Sequence, residues 1–202
     1  MSILENLVAG LSQGDAIQKL GSSLGIDGKT AAMGLAAAAP MILGALKRNA
    51  ARPEGAEALA QALERDHDGS LLDDLAGFMG QGDTGTGEAI LGHVFGDRRQ
   101  NVDQGVAKAA GLDPAMASKL MAMAAPMIMA HLGKAKREQG LNPDPLPGLI
   151  RQEERHLKAS APGQMGALSA MLDADGDGDV DASDLMDRGG PLLNTISKLF
   201  GG

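Results

Sequence analysis

The chain contains no cysteine, tryptophan or tyrosine, and only three phenylalanines in 202 residues. Without cysteine, disulfides and thiolate metal sites are excluded, which suits a reducing interior or a secreted bacterial protein. So few aromatic rings leave no platform for stacking bases, and no stripe of Lys and Arg follows a nucleic-acid backbone, so nucleic acid is not an expected partner. There is no run of alternating β-branched residues, and no strand is expected. The first ten residues carry no positive n-region and lead to no cleavage site, so no secretory signal is read and the cytoplasm is the expected compartment, with leaderless secretion left open.

What remains is 44% apolar and 22% charged, the balance of a globular protein with one ordinary domain and an appendage. Ile3, Leu4, Leu7, Val8 and Leu11 recur at helical spacing near the start. Two stretches, residues 30–46 and 120–133, lack charge, but at 17 and 14 residues they fall short of a membrane span and read as buried helices. Met116, Met121, Met123, Met127 and Met129 crowd the second stretch and the residues just before it, where a thioether fills irregular gaps that aromatic rings would otherwise occupy.

Shifted by 86 residues, the sequence repeats itself. Gly25-Ile26-Asp27 matches Gly111-Leu112-Asp113, and Ala39-Pro40-Met41-Ile42 matches Ala125-Pro126-Met127-Ile128. Each copy reads as a Gly-Φ-Asp entry, its aspartate capping or preceding a long helix with a proline near the middle. Neither proline can donate a backbone hydrogen bond, so the carbonyls of Ala36 and Ala122 lose their intrahelical partners and a kink or break is expected at each. Between the copies, helices are expected over 54–65, 71–79, 88–95 and 98–110, with a glycine-rich loop over 80–87.

The segments Asp66-His67-Asp68-Gly69-Ser70-Leu71-Leu72-Asp73-Asp74-Leu75 and Leu91-Gly92-His93-Val94-Phe95-Gly96, with the Gly-Leu-Asp and Pro-Met-Ile stretches, resemble a bacterial domain family of unknown function that includes YidB. The resemblance covers residues 1–138 and implies an all-helical domain with no established activity.

After Gly140, Pro143, Pro145 and Pro147 hold the chain extended and mark a boundary. A short charged helix is expected over 150–159. The expected organisation is therefore all-α: a pseudo-repeated helical domain with Pro-kinked helices over 1–139, a Pro-rich linker over 140–163, and a small helix-loop-helix module over 164–202.

That last module carries the most specific motif. Over residues 173–184, Asp173, Asp175 and Asp177 stand at positions 1, 3 and 5 of a twelve-residue loop, Asp179 at 7, Asp181 at 9 and Asp184 at 12, with Gly178 at the sharp turn and Val180 at position 8. This resembles the EF-hand family, and the resemblance implies calcium held by those six aspartates, with Asp179 acting through its carbonyl. Asp184 stands where the family usually has Glu, one methylene longer, which leaves bidentate closure and affinity open. The formal net charge is −8, and without these six aspartates it would be −2. Six carboxylates in so short a span repel one another and are relieved by a shared divalent ion. Leu192, Leu193, Ile196, Leu199 and Phe200 then form an apolar stripe after Pro191.

Other motifs fail on context. Asp66–Ser70 begins like a second calcium loop but has Leu71 at the turn and Gly77 at the closing position; a turn with Ser70 capping a helix, and Asp73 favouring its start, is expected instead. Gly80–Gly85 fits a dinucleotide string and Gly21–Gly25 a nucleophile elbow, yet neither has the required strand. His67, His93, His131 and His156 are dispersed. The expected function is calcium binding that orders the C-terminal module for a structural or interaction purpose, without enzymatic activity. The alternatives are self-assembly through the terminal helix, giving a homo-oligomer, or an enzyme with a site near residues 80–96.

Overall fold

A computed structural model describes residues 16–139 and 146–160. Among them the chain is all-helical: α1 (Ala16–Leu24), α2 (Gly28–Ala50), α3 (Pro53–Arg65), a 3₁₀ turn (Ser70–Asp74), α4 (Leu75–Gln81), α5 (Gly85–Phe95), a second 3₁₀ turn (Gly96–Arg98), α6 (Arg99–Ala110), α7 (Pro114–Gln139) and α8 (Leu146–Ser160). The early helix around Ile3–Leu11 and the loop with Asp173, Asp175, Asp177, Asp179, Asp181 and Asp184 lie outside the described residues.

The repeat is visible atom by atom. α1 stops at Gly25 with φ +72°, and α6 at Gly111 with φ +67°, a left-handed turn that a side chain would strain. The amide of Ile26 donates to the Gly21 carbonyl at 2.8 Å, and that of Leu112 to the Ala107 carbonyl at the same distance. Asp27 Oδ1 then accepts from the Thr30 amide at 3.0 Å, and Asp113 Oδ1 from the Met116 amide at 3.0 Å. Two aspartate caps therefore start the two long helices at equivalent places. Both helices continue through their internal prolines, Pro40 and Pro126, without a break.

These long helices, α2 and α7, pack on each other at the centre, with α3 and α8 against both, α1 and α6 beside them, and α5 laid on α7. Both are long and apolar enough to cross a membrane by length and composition alone, but in the fold they are core elements; the most apolar window of α7 is 78% buried. Where they cross, a methyl added to Gly34 of α2 would stand 2.5 Å from Leu120 Cδ1 of α7. These two residues occupy the same position in their respective repeats, one with no side chain and one with a large one, so they interlock.

Met121, Met123, Met127 and Met129 are all buried, with Ile42, Leu43, Leu63, Met79 and Leu91 around them, so the methionines fill the core as expected. The departures are local. The expected helix over 71–79 is divided into a 3₁₀ turn and α4, because Asp74 rather than Ser70 provides the cap, its Oδ1 accepting from the Gly77 amide at 2.8 Å. Helix α5 begins at Gly85, inside the expected loop, and α8 begins at Leu146 rather than Ile150, with Pro147 in the first turn where its missing N–H costs nothing. Leu146, Leu149 and Ile150 are buried in the same core as α2.

Candidate functional site

Sequence-derived candidates within the described residues resolve into structural roles. Asp66 pairs with Arg65 at 3.0 Å, Asp68 Oδ1 accepts from the Ser70 amide at 3.0 Å, and the two carboxylates do not converge. Asp83 Oδ1 accepts from the Gly85 amide at 2.9 Å in a turn just ahead of α5, so the glycine string over 80–85 is a helix-to-helix turn with Gly82 left-handed. Ser23 Oγ donates to the Leu20 carbonyl at 2.9 Å within its own helix. No group of three or more His, Asp or Glu able to hold a metal occurs among the described residues. His93 is exposed on α5, whereas His67 and His131 are buried. Burial pushes both imidazoles down from their ordinary value, that of His131 to about 4 with the nearby Lys134 charge adding to the effect.

Two polar constellations had no sequence signal. The first centres on Arg99, the first residue of α6. Its Nε donates to Asp103 Oδ1 at 3.0 Å, and its Nη2 to Glu88 Oε1 at 3.2 Å and Ser118 Oγ at 2.9 Å. One guanidinium thus ties α5, α6 and α7 together. Asp103 is buried, so replacing Arg99 with Met should leave that carboxylate without its partner and cost about 2 kcal/mol in urea-melt stability. A double variant with Asp103→Leu should recover much of the loss. A stability unchanged by Arg99→Met would show that the cluster is dispensable.

The second is a cavity of about 110 Å³ where the end of α2 meets the α5–α6 corner. Arg48, Asn49, Arg52, Val94, Phe95 and Arg98 line it. Asn49 Nδ2 donates to the Val94 carbonyl at 3.2 Å, fastening the end of α2 to the end of α5. On the other side, a methyl on Gly55 would lie 1.9 Å from the Asn49 carbonyl oxygen, so the α2–α3 elbow is closed backbone against backbone. The backbone around this corner is therefore held from both sides.

The repeat, the two aspartate-capped central helices and the Pro-Met-Ile segments define an all-helical bacterial domain. The chain belongs to the family described as a bacterial protein of unknown function (DUF937), which it matches over residues 6–135. No curated protein and no solved structure matches the chain.

Proposed function

We propose that the protein binds calcium through residues 173–184, and that the ion orders the C-terminal module for a structural or interaction role. The observation that carries this is the spacing of six aspartates at loop positions 1, 3, 5, 7, 9 and 12 around Gly178, which an acidic spacer has no reason to adopt. The loop also lies beyond the segment shared with the family, so it adds a property to the common domain. Irregular coordination by carboxylates and one carbonyl favours calcium over the strict octahedron of magnesium.

In this reading, calcium relieves the repulsion among the aspartates, and binding energy becomes ordering energy for the flanking segments. The stripe Leu192, Leu193, Ile196, Leu199 and Phe200 then seats on the helical domain or on a second chain. Titration calorimetry should record one calcium per chain, with magnesium weaker, and Asp173→Ala should weaken calcium binding about tenfold or more. Equal heats from the wild type and this variant would remove the loop from consideration. Sedimentation with and without calcium separates the two seats: only a stripe shared between chains changes the mass.

A further inference from the structure

The repeat reaches further back than its Gly-Φ-Asp entries. Ile3-Leu4-Glu5-Asn6-Leu7-Val8 matches Ile90-Leu91-Gly92-His93-Val94-Phe95, one residue out of the 86-residue register, with apolar residues at the same four places. In α5 those four places serve the core: Leu91 and Phe95 are buried, and Ile90 and Val94 pack against the same cluster. Residues 96–101 join Phe95 to the buried Val102 of α6, and residues 9–15 join Val8 to the buried Ala16, the counterpart of Val102 in α1. The first copy therefore has, in sequence, its own version of α5 with a connection of nearly the same length.

The helix it would lie on carries a corresponding face. On α7, Ala122, Met123 and Pro126 are buried, and α5 lies against this turn so closely that a methyl on Gly87 would overlap the Ala122 carbonyl. The equivalent residues of α2 are Ala36, Ala37 and Pro40, and all three are only half-buried. Met33, one turn earlier, is the exposed large hydrophobic residue of the described fold, at 43%. Spaced i, i+3, i+4 and i+7, Met33, Ala36, Ala37 and Pro40 form an uncharged helix face that is less covered than its counterpart.

We infer that residues 3–8 of the same chain dock as a helix on the Met33–Pro40 face of α2, in the place that α5 takes on α7. Ile3, Leu4, Leu7 and Val8 supply the apolar side of the contact, and the small side chains of Ala36 and Ala37 let a helix come close. Glu5 and Asn6 then fall where α5 has the exposed Gly92 and His93. The short tether through residues 9–15 keeps the effective concentration of the segment high, which favours the chain's own copy over one from a second molecule. The terminal stripe from Leu192 to Phe200 is also apolar, but it reaches the domain only through residues 161–191 and has no place in the repeat.

The chain has no cysteine, so a single introduced thiol reports on one place. The experiment is the rate at which a maleimide labels the full chain carrying Ala37→Cys, without calcium, with and without the further double substitution Leu4→Asp/Leu7→Asp. The double substitution should speed labelling about tenfold or more, because it abolishes the apolar contact that covers the thiol. Ala39→Cys, in the core, should stay protected in both backgrounds, which separates undocking from unfolding, and Ala58→Cys, exposed on α3, should label fast in both. Leu7→Ala alone is a milder change for which the core remains closed, and it should speed labelling at position 37 by a smaller factor. Labelling at position 37 that neither change accelerates would overturn the proposal. So would protection that grows with protein concentration, which assigns the face to a second copy, or protection lost on Leu193→Asp/Ile196→Asp, which assigns it to the terminal stripe.

Discussion

Replacing Gly87 with alanine should destabilise the helical domain by about 3 kcal/mol and lower its melting temperature by roughly 10 °C. A methyl at this position would lie 1.6 Å from the carbonyl oxygen of Ala122 and 2.4 Å from its carbon. Neither atom belongs to a side chain that could rotate away, so α5 would have to lift from α7. The acceptor has a particular origin. Ala122 is four residues before Pro126, which has no N–H to offer it, so α7 carries a carbonyl without its usual partner at the place where α5 lays a bare glycine. Gly92, on the same helix, provides the control: nothing lies within 4 Å of a methyl there, and Gly92→Ala should be neutral or stabilise by about 0.5 kcal/mol. Equal melting temperatures for the two variants would contradict the close approach.

Acid should weaken the domain well before its carboxylates titrate. The His131 imidazole is buried in α7 at 7% exposure and is held neutral down to about pH 4, against an ordinary value of 6.5. Between those limits the unfolded chain binds a proton that the folded chain refuses, so stability falls as pH falls through this window. The full loss is about 3 kcal/mol, with about 2 kcal/mol gone by pH 5. His67, also shifted down by burial, adds loss of the same sign. Urea melts from pH 7 to pH 4.5 measure the slope, and His131→Leu should remove most of it, leaving the share due to His67. A wild-type slope retained in that variant would place the acid sensitivity elsewhere.

The parts of the fold that were legible in the sequence are those with rare, directional chemistry. The Gly-Φ-Asp entries combine a left-handed turn with a side-chain cap, and each of those demands a specific residue type. The Pro-Met-Ile segments stood out because a proline in an apolar helical run is uncommon. Less legible were boundaries set by contacts far along the chain. Residues 85–87 read as a loop because glycine is a poor helix former, yet α5 starts there, since an Asp83 turn leads into it and Gly87 is what its packing on Ala122 requires. Pro147 read as a helix stop but occupies a first turn, where proline is accepted.

The arginine cavity and the Arg99 cluster were not legible at all. Arg48, Arg52 and Arg98 meet only because α2, α5 and α6 converge, and no spacing along the sequence announces that meeting. The aspartate loop is the opposite case: its ligands are contiguous, so its chemistry is written entirely in local order, and its test is a metal titration.

The Gly34–Leu120 contact bears on folding fidelity. Two like helix pairs in one domain, α1–α2 and α6–α7, invite mispairing, in which a pair from one molecule docks with the matching pair of another. At the point where the halves meet, two leucines would collide and two glycines would leave a void; only the unlike pair fills the space. The halves have become a plug and a socket, so neither half pairs with its own kind through this point. The two helix pairs are thereby committed to unlike partners, and their linkage in one chain makes the correct partner the nearest one.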